Sequence, residues 1–380
     1  MKTPLLLAMA LLLAACAGTP TGDTTGIDTQ SVLSGAAILG QPVDTANLPE
    51  DDLLALTPQV KAYLATVAPD AGPQQRLAAL IKAFGRREFH VRYDAGSTLT
   101  AAETYRQQRG NCLAFTLMMV AMTRELGAGA YFNQVDVPPV WGHDEAQTFV
   151  VYRHINMVSE SARGRRVVDF DLASYDPIYD QQKLPDIAAF AQYYSNRGVE
   201  LMKQDESEQA FLHLRKALEL QPEDSDLWSN LGSLYSRFGH FYEAEQSYRQ
   251  ALQLKAGNLV AISNLERLYR RDGRVELANH YAQRARYHRE RNPYYLFYKA
   301  RNAYEHGEYQ QAKKQLRRAL RKYEDDHRFH FLMGLTNYRL GDMENSVESF
   351  REAFALANNP DTVNAYTRKL DYLAREAQLP

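Results

Sequence analysis

Cysteine is almost missing from this 380-residue chain, which holds only Cys16 and Cys112. A disulfide-stapled scaffold is therefore excluded, since one bridge is the most that could form. Excess charge is missing too: 44 Lys and Arg stand against 46 Asp and Glu, a formal net charge of −2. Nucleic-acid binding needs many cations to displace phosphate counterions, so nucleic acid is not an expected partner. Cys and His do not cluster at the spacing of zinc ligands, and no metal is expected. A phosphate-cradling Gly-rich loop is also lacking, which argues against ATP-driven chemistry, and no cofactor is expected. What remains is a chain longer than one typical domain, with 45% hydrophobic residues, from which two folded units are expected.

The N-terminus carries a targeting pattern. Lys2 precedes the apolar run Leu5 to Leu13, which is too short to stay in a bilayer as a spanning helix. The run ends in Leu13-Ala14-Ala15-Cys16, which resembles the lipobox of bacterial lipoproteins. The resemblance implies a signal peptide over 1–15, lipidation of Cys16 and stable membrane attachment through several acyl chains. Ala17 after the Cys implies outer-membrane sorting in a two-membrane envelope, facing the periplasm. Thr19 to Ser31 is rich in Thr, Gly and Asp, so residues 16–44 read as a lipidated, flexible tether. Lipid on Cys16 would leave Cys112 without a disulfide partner.

Cys112 sits at a helix start. Thr100-Ala101-Ala102-Glu103 matches a capping box and predicts a helix running to about Gln108. Arg109-Gly110-Asn111 interrupts it, and Cys112 to Met122 is apolar nearly all round, as a core helix should be. The N-terminal N–H groups and dipole of that helix favour thiolate over thiol and can hold an oxyanion. The alternative is an inert core thiol, a common fate of free cysteine. Downstream, residues 148–157 and 166–170 are rich in β-branched and aromatic residues, and the turn-like Ser159 to Gly164 between them predicts a hairpin. Folding it symmetrically pairs Val158 with Arg165, Asn156 with Val167 and His154 with Asp169, so that Asp169 can orient His154. Asp171, facing Tyr152, ranks second. His143, in Trp141-Gly142-His143 after Pro138-Pro139, reads as a surface-loop histidine.

Tyr93-Asp94, the Thr100–Glu103 box, Arg109-Gly110-Asn111-Cys112, His154 and Asp169 together resemble the transglutaminase-like superfamily over about residues 85–172. The resemblance implies a papain-like α+β fold with Cys112 as nucleophile, His154 as base and later acid, and Asp169 fixing the imidazole. It also implies attack on an amide carbonyl and an acyl-enzyme, as in cysteine amidases, peptidases and acyltransferases. Two positions depart from the usual pattern: Asn156 stands where an aromatic is common, and Phe170 where a Pro is.

The rest of the chain is periodic. Starts at Ala191, Ser225, Leu259, Pro293 and His327 are each 34 residues apart, the period of the tetratricopeptide family, which the segment resembles. Gly198, Gly232, Ala300 and Gly334 recur where helices of a hairpin meet, with Glu266 departing in the third repeat. The resulting fold class is an α+β transglutaminase-like domain over 45–173, a connector over 174–190, an all-α solenoid of five repeats over 191–360 and a capping helix over 361–380. In this family the first helices line a concave groove. Here that face would carry Arg267, Arg270, Arg271, Arg301 and Arg339 beside Tyr294, Phe297, Tyr304, Phe331 and Tyr338, typical anchors for a protein or peptide partner. Between Leu265 and Tyr323 there are 16 Lys or Arg against 6 Asp or Glu, which points to an acidic partner. Two readings follow: a membrane-anchored cysteine amidase, peptidase or acyltransferase whose repeats dock a substrate, or a non-catalytic scaffold lipoprotein that binds partners through its repeats.

Overall fold

The structure, a computed structural model, describes residues 26–85, 90–135, 154–162, 164–170, 181–357 and 360–376. The leader, Cys16, the Trp141–His143 loop, the start of the expected first strand and Asp171 lie outside the described residues.

Residues 26–44, the described part of the segment expected to be a flexible tether, are folded instead. Helices α1 (Thr29–Ser34) and α2 (Ala36–Leu39) are folded and lie against the helical part of the molecule. Local chemistry starts them: the Asp28 carboxylate accepts from Ser31 N–H as an N-cap, and Gly35 turns the chain between them at φ 69°. Long-range packing holds them. Val32 is fully buried, its carbonyl accepts from Tyr235 Oη at 2.6 Å, and Asp28 N–H donates to Gln246 Oε1 at 3.1 Å. A Cβ on Gly35 would come within 2.3 Å of the Phe211 ring, so no larger residue fits beneath this strap.

Next come α3 (Pro58–Thr66), α4 (Pro73–Gly85), the short β1 (Arg92–Tyr93), α5 (Ala101–Gln107), the short β2 (Arg109–Gly110) and α6 (Cys112–Glu125). The expected capping box at Thr100 and Glu103 is formed in both directions, and α5 ends where Gln108 turns left-handed. Helix α6 is buried from Leu113 to Thr123, as its all-round apolar sequence requires. It packs on a four-stranded antiparallel sheet of β3 (Tyr131–Val135), β4 (His154–Ser161), β5 (Gly164–Val168) and β6 (Gln181–Leu184), in the order β5-β4-β3-β6. Phe132, Ile155 and Met157 face the core, while Asn133, Asn156 and His154 share the other face. The expected connector is thus partly a strand: β6 forms the sheet's edge on β3.

Five helical hairpins follow: α7 (Asp186–Lys203) with α8 (Ser207–Leu220), α9 (Ser225–Arg237) with α10 (Phe241–Leu254), and α11 (Leu259–Arg271) with α12 (Val275–Arg291). The last two are α13 (Pro293–Glu305) with α14 (Tyr309–Leu320), and α15 (His327–Arg339) with α16 (Met343–Leu356), ahead of the terminal α17 (Pro360–Glu376). Their close approach explains the small residues: a Cβ on Gly198, Gly232 or Gly334 would meet Leu214, Tyr248 or Phe350 at 2.6, 2.7 and 2.6 Å. Helix α7 begins five residues before Ala191 and reaches the sheet, where Gln192 Nε2 donates to Gln134 Oε1 at 2.9 Å. The expected division into two folded units is not seen in the core. One continuous apolar cluster runs from Val32 through α6 and the sheet to Ala278 in α12, and the last two hairpins have clusters of their own.

Because the strap belongs to that core, Val32→Asp should destabilise the protein by about 3 kcal/mol or more, the usual cost of an uncompensated buried charge. Thermal unfolding followed at Trp228, in α9, would measure it; an unchanged midpoint would mean the strap is not docked.

Candidate functional site

Cys112 opens α6, one face of which lies on β4, and Thr116 ties the two by donating to the Ile155 carbonyl at 3.1 Å. That contact brings the first residue of β4, His154, to the helix N-terminus. His154 Nε2 lies 2.8 Å from Asp169 Oδ2, and Cys112 is near enough to the imidazole to help raise its pKa. With Nε2 committed to the carboxylate, Nδ1 is the nitrogen left for the sulfur. Burial alone would depress the His154 imidazolium, but the hydrogen bond to Asp169 and the charges of Asp169 and Cys112 outweigh it, and its pKa is pushed up to about 10. Asp169 is buried, with 6% of its surface exposed, so the pair is shielded from water.

The hairpin register differs from the symmetric one expected. β4 and β5 pair Val158 with Val167 and continue to Ser161 with Gly164, a shift of two residues. A shift of two keeps every side chain on its face, which is why Asp169 still reaches His154. It lies diagonally beside it and falls opposite Asn156. Asn156, fully buried, donates its Nδ2 to Asp169 Oδ2 at 2.9 Å and accepts from Asn133 Nδ2 at 2.9 Å. Asn156, where the resemblance led us to expect an aromatic, thus hydrogen-bonds the carboxylate, which receives both the imidazole and an amide.

Sequence reasoning missed the side of the site that α7 supplies. Glu200, 4% exposed, accepts at Oε1 from Thr98 N–H (2.9 Å) and Thr98 Oγ1 (2.6 Å), and at Oε2 from Arg197 Nη1 (2.7 Å). Burial raises its pKa, against the pull of Thr98 and Arg197. Thr98 Oγ1 in turn accepts from Asn111 Nδ2 at 2.6 Å, and Asn111 Oδ1 accepts from Ala114 N–H as the N-cap of α6. A carboxylate on the first hairpin thus fixes the cap of the helix that carries Cys112. In front of Cys112 is a cleft of about 360 Å³, walled on one side by Tyr93, Gly96 and Leu113 and on the other by Asn196, Lys203 and Gln204 of α7 and its end. The one legible sign of this was a charged residue inside the apolar run Val199-Glu200-Leu201-Met202.

Comparison with known proteins bears on the hairpins. Family models described as tetratricopeptide repeat match residues 191–224, 213–246 and 297–361. The chain carries tetratricopeptide repeats. Solved structures with similar regions include a MamA protein (17% identity, 44% of this chain and 91% of that one, TM-score 0.25) and YrrB, described as a TPR protein with an unusual peptide-binding site (20%, 47% and 92%, 0.25). MamA from Desulfovibrio magneticus RS-1 is a third (15%, 45% and 97%, 0.25). No curated protein matches the chain. The family models fall on the hairpins, a protein-interaction architecture.

The groove residues expected on the first helices of the tetratricopeptide repeats divide into two sets. Arg270, Arg271, Arg301 and Arg339 are exposed and Arg267 half-buried. Arg270 pairs with Glu266 at 2.8 Å, Arg301 with Glu305 at 3.7 Å, and Arg271 lies 4.3 Å over the Phe241 ring. The aromatics are half-buried and pack between helices. Tyr294 and Phe297 pack on Phe329 (5.6 and 4.9 Å), Tyr304 on Tyr309 (5.4 Å), and Tyr338 joins the core of the last hairpins. Phe331 stacks on Tyr366 of α17 at 3.7 Å, where the terminal helix covers the end of the solenoid.

Two predictions follow from this geometry. His154 has a raised pKa in the fold, so its contribution to stability is full below its unfolded pKa of 6.5 and lost as pH rises through about 10. The stability gap between wild type and His154→Gln should be on the order of a few kcal/mol at pH 6 and close between those limits, as denaturant titrations across pH would show. Thr98→Val removes the hydroxyl that links Glu200 to Asn111 and should slow alkylation of Cys112 by about fivefold through a loosened cap, whereas Thr98→Ser should not.

Proposed function

We propose that this protein is a tetratricopeptide scaffold that holds a protein partner and carries, at Cys112, a papain-like thiol site for attack on amide carbonyls. The observation that carries the catalytic part is the His154–Asp169 pair, with Nε2 at 2.8 Å from the carboxylate, set beside Cys112 at the start of α6. In this reading the proton of the thiol resides on the imidazole and sulfur attacks the carbonyl carbon. The oxygen gains charge at the α6 N-terminus, where backbone N–H groups point outward. His154 then gives its proton to the departing amine nitrogen as the C–N bond breaks, leaving a thioester on Cys112. Water or a second amine, giving its proton back to His154, attacks the thioester and releases the thiolate. Hydrolysis and acyl transfer share every step but the last nucleophile.

The repeats favour a second reading, in which partner binding is the whole function and the thiol site does not turn over. The family matches support this coarser role directly. On either reading the partner is a protein or peptide, acidic because of the cationic stretch between Leu265 and Tyr323. Lipidation at Cys16 and an outer-membrane, periplasm-facing location belong to the same proposal and rest on Leu13-Ala14-Ala15-Cys16.

Iodoacetamide alkylation separates the two readings. At pH 6 an activated Cys112 should react about tenfold or more faster than an ordinary thiol and lose that advantage in His154→Ala and Asp169→Leu. Equal rates in all three proteins would leave the scaffold reading alone.

A further inference from the structure

An asparagine recurs at one place in the first helix of three successive repeats: Asn196, Asn230 and Asn264 are each 34 residues apart. In the second and third repeats it ties neighbours together. Asn230 Nδ2 donates to Ser195 Oγ, on the first helix of the preceding repeat, at 3.0 Å, and Asn264 Nδ2 donates to Ser233 Oγ at 3.2 Å. The first repeat has no repeat before it. On that side of α7 stand the loop carrying Thr98 and the start of α6, which α7 meets through Glu200, and the cleft at Cys112 opens between them.

Asn196 lines that cleft and is only 8% exposed, yet its side chain makes no hydrogen bond among the described residues. Its amide is not sealed in: the enclosed side-chain atoms left without a partner among the described residues belong to Arg215, Arg274, Arg289 and Asn337. The other polar groups deep in the cleft are committed. Glu200 accepts from Thr98 and Arg197, and Asn111 donates to Thr98 and accepts from Ala114 N–H. A carboxamide withdrawn from bulk water with donor and acceptor both open is unfavourable until something fills the cleft.

We propose that Asn196 binds the main chain of an extended polypeptide laid across Cys112, donating from Nδ2 to a backbone C=O and accepting at Oδ1 from the N–H of the same residue. In an extended strand those two groups point to one side, which matches the two ends of a carboxamide. The strand takes, at the first repeat, the place that a preceding helix takes at the second and third. This names the substrate of the thiol site as a peptide rather than a small amide. It rests on the thiol-site reading for what becomes of the bound strand, while the binding itself stands without turnover.

The test uses the full chain and two reagents that alkylate Cys112, iodoacetamide and an acetyl-capped tetra-alanine chloromethyl ketone, with the modified residue read by mass spectrometry. The rate with the peptide reagent should saturate with its concentration. Asn196→Leu should lower that rate at low concentration by about tenfold and leave the iodoacetamide rate unchanged. Its unfolding midpoint should stay or rise, since no bond is lost, whereas Asn230→Leu, which loses Ser195, should unfold at a lower temperature. If iodoacetamide reacts no faster than with an ordinary thiol while the peptide reagent still saturates and still depends on Asn196, the activation of Cys112 fails and the binding proposal stands. A peptide rate that never saturates, no loss in Asn196→Leu, an equal loss with both reagents, or a midpoint that falls as far as in Asn230→Leu would overturn it.

Discussion

Helix α7 must be buried on several sides at once, and the arrangement around it follows from that requirement. Its Ala189, Tyr193, Val199 and Met202 are all in the core. Its Gly198 lets α8 approach, its Gln192 reaches the sheet, and its Glu200 reaches the loop before α6. A carboxylate removed from water must be matched on both oxygens, and Thr98 and Arg197 do so. The loop that carries Thr98 is therefore pinned to the solenoid, and through Asn111 so is the first turn of α6. The first hairpin and the helix that carries Cys112 are consequently tied together by hydrogen bonds, with the cleft at Cys112 lying along their seam.

This changes how the two readings of the protein relate. If the repeats hold a partner, the helix nearest the thiol already forms part of the surface that partner would meet at the first hairpin. Binding and chemistry would then share a wall instead of being joined by a linker. The third repeat differs in composition: Glu266 and Ala282 invert the small and large positions of the other four repeats.

The features that could be read in the sequence were those set by neighbours along the chain. The Thr100–Glu103 capping box, the apolar helix after Cys112 and the 34-residue spacing all depend on short-range pattern. His154 and Asp169 were legible for a subtler reason. Their pairing was placed two residues out, because a six-residue loop was assumed where the ladder runs on to Ser161 and Gly164, yet an even slip preserves the face. Strands β3 and β6 were not legible, since Asn133-Gln134 and Gln181-Gln182-Lys183 lack the apolar alternation that marks a strand. Glu200 and the docked strap depend on partners more than a hundred residues away, and composition alone made the strap look like a tether.

The strap also bears on how the chain can be made. Val32 and Asp28 find their partners at Tyr235 and Gln246, 203 and 218 residues downstream. A chain that emerges from its N-terminus presents this apolar segment long before the second hairpin exists to receive it. Closing so long a loop is slow relative to pairing neighbouring hairpins, so the repeats can assemble first and the strap last. Until then Val32 and the surface around Phe211 are both uncovered, and the finished core is sealed by a segment synthesised long before the helices it covers.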